Sequence, residues 1–174
     1  MEWACAGARD TTVLVPGDLD APLRSWALDG FGIRVGAGDP VALPVGIAGW
    51  LLDHRAARVV GSERAAHSLP PADAVLVMGD GSSSRGPQSP GHMHPKAIDF
   101  DDLALAALRT GDPAALGHLD PVTAEEVGAA GPAVWAALAP LLAEVREARV
   151  DFADDPFGVL YVVARWTARW ADPA

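Results

Sequence analysis

Apolar residues in the first half of the chain form short runs of strand length and one longer stretch at helical spacing. Thr11–Val15 and Ala74–Met78 are apolar runs bounded by proline or glycine, and they predict buried strands. Phe31–Val35 and Arg58–Val60 predict two further strands. Pro44–Ala57 has proline in its first turn and apolar residues on one face, so it predicts an amphipathic helix.

The second half is typical of a helical block. Apolar residues of Phe100–Leu108 fall on one face of a helix, and Gly111 follows as its stop signal. Asp112 and Asp120 each stand directly before a proline, which combines a capping carboxylate with a first-turn proline. Two short helices should therefore begin at these aspartates.

The C-terminal part predicts one more helix and a closing strand. Pro132–Glu144 has helical spacing, and its apolar stripe continues through Leu142 to Val145. Phe157–Trp166 carries apolar residues on both alternating faces, as a central strand covered on both sides would.

Composition favours a folded domain over a disordered chain. Half of the 174 residues are apolar and 21% are charged, which is typical of globular proteins. Strands and helices alternate without a repeat or a linker. We therefore expect one α/β domain over residues 1–174, with a central, mostly buried sheet flanked by helices and with peripheral segments at 1–10 and 167–174.

The net charge of −10 argues against polyanionic partners. The 13 Lys and Arg residues are scattered, and Lys96 is the single lysine, so no basic cluster could hold a phosphate backbone.

The single cysteine, Cys5, fits a reducing compartment, and the sequence has neither a signal-peptide pattern nor an apolar run of the ~20 residues that span a membrane. We expect a cytoplasmic protein without nucleic-acid or membrane partners. Trp166 and Trp170 are candidate contacts in a homo-oligomer.

The most informative segment is the long loop Gly79–Pro95, rich in Gly, Ser, Pro and His, because loops of this length in compact domains are often functional. It follows the predicted strand directly, and ligands of open α/β sheets bind at the carboxyl ends of strands. Asp80, Ser82, Ser83 and Arg85 therefore predict a cleft for a small-molecule ligand. The alternative interpretation is that Asp80 is a capping residue of the turn.

His92 and His94 are the candidates for metal ligands. Two imidazoles at this spacing can chelate an ion if the segment is extended, and Asp99 or Asp101 could supply a third donor. The alternative is that both histidines face solvent. Asp99, Asp101 and Asp102 also form an acidic cluster suited to acid–base chemistry, but carboxylates at a helix start are stabilised by its dipole. Because the sequence lacks a nucleophile elbow, a dinucleotide fingerprint and a Walker motif, no catalytic residue is assigned.

Several short motifs follow one another along the chain: Met78–Ser82, Pro90-Gly91, Pro95–Ala97, Asp99–Asp101, Gly111–Leu116, Leu119–Pro121 and Asp155–Ala164. In this order they resemble a small LigB-like branch of the class III extradiol ring-cleavage dioxygenases. The similarity extends from about Asp10 to Trp166.

The resemblance implies a LigB-like α/β fold in which the family's N-terminal strand–helix unit is missing. Catalytic members hold Fe(II) with two histidines and a carboxylate. In the matching places this chain has Pro16-Gly17-Asp18 after its first strand, and Ser83 where an acid–base histidine is expected. Ala129 and Ala130 stand where the glutamate is expected.

We therefore expect no cofactor and a non-catalytic protein whose vestigial cleft binds a small ligand or a partner. The alternative is an Fe(II)-dependent ring-cleaving dioxygenase, or a related hydrolase, that uses His92, His94 and an acid such as Asp80 or Asp99. A natural form with a longer N-terminus, supplying the missing strand and ligand, is a third hypothesis.

Overall fold

The computed structural model describes residues 7–38, 41–53, 55–65, 69 and 72–171. These residues divide into two compact units, one ending at Met78 and the other beginning at Gly79. The chain has a mixed sheet and several helices, which confirms the general α/β class. The single-domain arrangement and the LigB-like fold stay predictions. Cys5 and the outermost parts of the segments expected to be peripheral, residues 1–6 and 172–174, lie outside the described residues.

The first unit is built on a mixed four-stranded sheet. Its elements in chain order are β1 (Thr11–Val15), β2 (Asp20–Leu23), β3 (Trp26–Ala27), β4 (Gly36–Ala37), α1 (Leu43–Leu52), β5 (Ala57–Gly61), α2 (Ser62–Ala65) and β6 (Ala74–Val77). In the sheet β1 lies between β5 and β6 and runs parallel to both, while β2 pairs antiparallel with the outer side of β5. The short strands β3 and β4 pair with each other.

The core of the first unit lies between this sheet and α1. Val13, Val15 and Val59 from the sheet form one buried cluster with Val45 and Leu52 from the helix. Burial of such aliphatic side chains contributes about 1.5–3 kcal/mol each. The strands predicted at 11–15, 58–60 and 74–78 and the helix predicted from Pro44 are confirmed, although the helix ends at Leu52.

The strand predicted over Phe31–Val35 is wrong. The segment begins in a 3-10 turn, Asp29–Phe31, which Gly32 ends in the left-handed conformation. Its apolar side chains Phe31 and Ile33 are exposed. The apolar run is therefore part of a surface turn before β4.

The second unit is a helical block followed by a β-ribbon. Its elements are α3 (Ala97–Thr110), α4 (Pro113–Gly117), α5 (Pro121–Val127), α6 (Gly131–Leu138), β7 (Leu142–Asp154) and β8 (Tyr161–Trp170). The predicted caps are confirmed: the Asp112 carboxylate accepts a hydrogen bond from the Ala115 amide, and the Asp120 carboxylate accepts from the Thr123 amide. Gly111 ends α3 in the left-handed conformation, as predicted.

The helix predicted over Pro132–Glu144 is correct only as far as Leu138. Pro140 lies in a 3-10 turn directly after α6, where its ring cannot continue a helical ladder. Leu142 and Val145, expected on the helix stripe, belong instead to β7.

The environment predicted for the closing strand is also wrong. Within the described residues β8 pairs with β7 alone, so it is not a central strand. Exposed Tyr161 and Val163 alternate with half-buried residues along β8. Trp166 lies on the half-buried face, and its indole N–H donates to the Leu108 carbonyl of α3 at 2.9 Å. The ribbon therefore packs one face on α3 and exposes the other.

The helices of the second unit share a small core of their own. Ala97 and Phe100 from α3 form a buried cluster with Ala124 and Val127 from α5. Among the described residues, no helix combines the length and the apolar character that crossing a membrane requires.

Candidate functional site

The loop Gly79–Pro95 is folded around a buried carboxylate, that of Asp101 on α3. Asp101 is 0% exposed. Its carboxylate accepts hydrogen bonds from the Ser82 amide at 2.8 Å, from the Ser82 hydroxyl at 2.6 Å and from the Arg85 guanidinium at 2.9 Å. A buried carboxylate is tolerated only when it is paired and hydrogen-bonded, and these donors meet both conditions.

The sequence of the loop allows this close approach because it has glycine next to Ser82. A Cβ atom at Gly81 would lie 2.8 Å from the Asp101 carboxylate and 2.9 Å from the Leu160 side chain. Any side chain at this position would therefore displace the carboxylate from the donors of the loop. Glycine is needed at position 81 because the Asp101 carboxylate and Leu160 leave no room for a side chain.

Arg85 joins the loop to the turn of the β7–β8 ribbon. Its side chain is 15% exposed and lies between Asp101 and Asp155, whose carboxylate accepts from Arg85 Nε at 2.6 Å. The Arg85 amide also donates to the Gly158 carbonyl. Burial lowers the pKa of the guanidinium, but hydrogen bonds to Asp155 and Asp101 raise it more, so the pKa of Arg85 lies above its ordinary value. The arginine is charged, and two carboxylates already neutralise it.

Ser83 is held by the backbone on both sides. Its amide donates to the Val127 carbonyl at 3.0 Å, and its carbonyl accepts from the Gly91 amide at 2.9 Å. Its hydroxyl lies so close to Gly128 that a Cβ atom there would collide with it. Gly128, at φ +67, therefore both ends α5 and makes room for Ser83.

Asp80 holds the start of α6. Its carboxylate accepts from the Ala130 amide at 3.0 Å, and its carbonyl accepts from the Gly131 amide at 2.9 Å. The side chain is exposed, whereas Ser82 is fully buried. The four residues predicted to bind a ligand thus lie in one loop, but their polar groups hold that loop and its neighbours in place. Ligand binding by Asp80, Ser82, Ser83 and Arg85 stays a prediction.

The two candidate metal ligands lie at the surface end of this loop. His92 is exposed and has a left-handed backbone conformation, φ 61. Nδ1 of His94 accepts a hydrogen bond from the Lys96 amide at 3.3 Å. Across the described ranges no three His, Cys, Asp or Glu side chains are arranged to hold a metal ion. Metal binding by His92 and His94 stays a prediction.

The acidic cluster predicted at the start of α3 does not come together. Asp101 points into the loop, whereas Asp99 and Asp102 are exposed. The Asp99 carboxylate has no hydrogen bond or ion pair to another described residue, and Asp99 lines a groove at the start of the helix. The three carboxylates therefore have separate environments and cannot share a proton.

This groove, which we call the α3 groove, has a volume of about 480 Å³. It runs between the first turns of α3 and the segment that joins α4 to α5. Its lining consists of Lys96, Asp99, Phe100, Leu103, Ala115, His118, Leu119, Asp120 and Thr123. We call its apolar lining residues the floor and its polar lining residues the rim.

Sequence reasoning missed the groove because it placed Leu103 on the buried face of α3. Leu103 is 64% exposed, while Phe100, Ala104 and Ala107 are buried. A signal was present: these three already complete a core stripe at helical spacing, so the larger Leu103 was not needed to cover the core.

Most polar groups on the rim of the α3 groove are already paired. The ammonium of Lys96 lies 2.7 Å from the Glu126 carboxylate, whose hydrogen bond raises the pKa of Lys96. The hydrogen bond from the Thr123 hydroxyl lowers the pKa of Asp120, and amides of α5 also donate to its carboxylate. Asp99 is therefore the rim carboxylate without a partner in the described part of the chain.

No protein-family model matches the chain, and no curated protein matches it either. Its function therefore has to be inferred from the geometry of its own residues.

Proposed function

We propose that this chain is a non-catalytic relative of the class III extradiol dioxygenases that binds a small, largely apolar molecule in the α3 groove. The observation that carries the proposal is the contrast between the two polar regions of the second unit. The loop Gly79–Pro95 uses its polar groups to bond Asp101 and its neighbours. The groove leaves an apolar floor open to solvent.

The loop supports a structural role more than a catalytic one. A general acid or base has to exchange a proton with a substrate within hydrogen-bond reach. Asp101 is fully buried, and Ser82 and Arg85 occupy its oxygens. These residues are placed to fix the shape of the loop.

The volume of the α3 groove supports the proposal. Small-molecule sites are clefts of about 300–1,000 Å³ with apolar linings and a few polar groups. The groove falls in this range, and a ligand lying on it would cover exposed Leu103 and half-buried Leu119. Covering apolar surface contributes about 25 cal/mol per Å², which gives a small ligand its driving force.

Nuclear magnetic resonance of methyl groups tests this proposal with 2-phenylethanol as a neutral apolar probe. We expect shifts of the methyl signals of Leu103, Ala115 and Leu119 that saturate with the probe concentration. Leu103→Ser should weaken binding about fivefold, because it removes about 1 kcal/mol of apolar contact. Val122→Ser is the matched control, since Val122 is 62% exposed but does not line the groove.

Two results would contradict the proposal. Shifts that are absent, or that are equal in Leu103→Ser and in the unchanged protein, would exclude the groove as the site. Stoichiometric iron in protein purified without chelator, lost in a His92→Ala, His94→Ala double variant, would instead favour a metal enzyme.

A further inference from the structure

We infer that the ligand of the α3 groove is an organic cation, an amine on an apolar body, with Asp99 as its counter-ion. This inference rests on the proposed function, because it names the class of molecule that the same groove takes. It depends on the charges of the groove rim and on the position of Asp99 relative to the apolar floor.

The cationic side chain on the rim is already paired with a carboxylate. Lys96, the single lysine of the chain, lies 2.7 Å from the Glu126 carboxylate. An anion would share this ammonium with Glu126, and it would enter a rim that also carries Asp99 and Asp120. The whole chain adds to this repulsion with a net charge of −10.

The two rim aspartates differ in what they can offer a ligand. Asp120 uses its carboxylate to cap α5, where the amides of Val122 and Thr123 and the Thr123 hydroxyl donate to it. The Asp99 carboxylate accepts no hydrogen bond from any described residue. A ligand ammonium carries three N–H donors and would satisfy this exposed carboxylate without breaking an existing bond.

Helix geometry places Asp99 beside the apolar floor. Asp99 and Leu103 are four residues apart on α3, and side chains at this spacing are neighbours, with Cβ atoms about 5–6 Å apart. Phe100 lies between them in sequence and forms part of the floor. An apolar body resting on exposed Leu103 would therefore bring a terminal amine on a short linker to the Asp99 carboxylate.

A series of three probes with the same phenylethyl body tests the charge of the ligand. The protein is titrated at low salt and pH 8 with 2-phenylethylamine, 2-phenylethanol or 3-phenylpropionate. Methyl signals of Leu103 and Leu119 report occupancy. The amine should bind about two- to fivefold more tightly than the alcohol, as one exposed ion pair provides, and the carboxylate should bind most weakly.

Variants assign this preference to one side chain. Asp99→Asn should make the amine and the alcohol bind equally, while the affinity for the alcohol stays unchanged. Asp102→Asn is the matched control, because it removes the same charge from the same exposed helix start outside the groove. It should preserve the preference. Raising the salt to 0.5 M should reduce the preference in the unchanged protein, because exposed charges are screened.

The outcomes separate the inference from the proposed function. If the alcohol and the amine bind the groove equally, or the carboxylate binds best, the inference is wrong while the groove remains a ligand site. If Asp102→Asn abolishes the preference as completely as Asp99→Asn, the counter-ion assignment is wrong. If none of the three probes shifts the methyl signals, both the inference and the proposed function fail.

Discussion

Replacing Asp101 by asparagine tests the structural role of the loop Gly79–Pro95. The change keeps the shape of the side chain but removes its charge and one of its accepting oxygens. In the native protein both oxygens are used: Oδ1 accepts from the Ser82 amide, and Oδ2 accepts from the Ser82 hydroxyl and Arg85. An amide NH₂ group would face these donors with donors of its own.

The expected loss of stability follows from these contacts. A hydrogen bond to a charged group contributes about 1.5–3 kcal/mol, and removing one partner of a buried ion pair costs about 3–5 kcal/mol. Arg85 remains partly exposed and keeps its bond to Asp155, so the full cost of an unpaired charge does not apply. We expect Asp101→Asn to lower the free energy of unfolding of the second unit by about 3 kcal/mol.

Hydrogen exchange of single amides is the appropriate assay, because the chain has two compact units and whole-chain unfolding can combine their transitions. The amides of Ser82 and Arg85 should exchange about 100-fold faster in Asp101→Asn, as a loss of about 3 kcal/mol predicts when they exchange through unfolding. The double variant Asp101→Asn, Arg85→Met should lose less free energy of unfolding than the two single variants lose together, because both changes act on one ion pair.

Asp102→Asn provides the control for this experiment. Asp102 is the exposed neighbour of Asp101 on the same helix, so its replacement should change stability by no more than about 0.5 kcal/mol. The reasoning is refuted if Asp101→Asn and Asp102→Asn have the same effect, or if the Ser82 amide exchanges at an unchanged rate in Asp101→Asn.

Three further predictions concern the helices of the second unit. Gly128→Ala should lower the free energy of unfolding by about 2 kcal/mol, because the new side chain would have a left-handed backbone and would collide with the Ser83 hydroxyl. An unchanged midpoint of urea denaturation would contradict this. Asp112→Ala should cost about 1 kcal/mol by removing the cap of α4, and a serine at this position should restore most of it. The hydrogen bond from the Thr123 hydroxyl lowers the pKa of Asp120 below its ordinary value of 3.8. The ionised carboxylate therefore stabilises the fold at pH values above 3.8, and this contribution is lost as the pH falls through the native pKa. In a carbon-13 titration the midpoint of Asp120 should lie below 3.8, and it should be higher in Thr123→Val than in the unchanged protein. A midpoint that Thr123→Val leaves unchanged would mean that another group lowers the pKa of Asp120.

Local signals in the sequence predicted much of the secondary structure correctly. The strand at Thr11–Val15 is buried along its whole length, and its apolar run shows this directly. The capping aspartates Asp112 and Asp120 fix the starts of α4 and α5 through bonds to amides two or three residues away. Such contacts lie within one turn of a helix, so the residues that determine them are visible together in the sequence.

The errors occur where distant residues decide the structure. Leu142 and Val145 fit a helix stripe or a strand equally well, and pairing of β7 with β8 decides between them. Pro140 was the local signal against a continued helix. Phe31–Val35 has strand-forming residues, but in the described part of the chain the amides of Phe31 and Ile33 both donate to the Leu28 carbonyl, as in a turn.

In the candidate site, too, the sequence predicts what local residues determine and not what distant residues determine. The sequence indicates that the loop after Met78 is important, and the structure places Ser82 and Arg85 on the Asp101 carboxylate and Asp80 on the amides that begin α6. Which aspartate at the start of α3 would be buried depended on where Ser82 and Arg85 come to lie, 19 and 16 residues before Asp101. That information is tertiary, so periodicity could not supply it.

Intermolecular nuclear Overhauser effects between bound 2-phenylethylamine and the protein test the central claim most directly, because they report which side chains touch the ligand. We predict effects from the phenyl protons to the methyl groups of Leu103, Ala115 and Leu119, and from the protons beside the amine to Asp99. Effects confined to Asp80 and the remaining residues of the loop Gly79–Pro95 would contradict the account, as would their complete absence at saturating ligand.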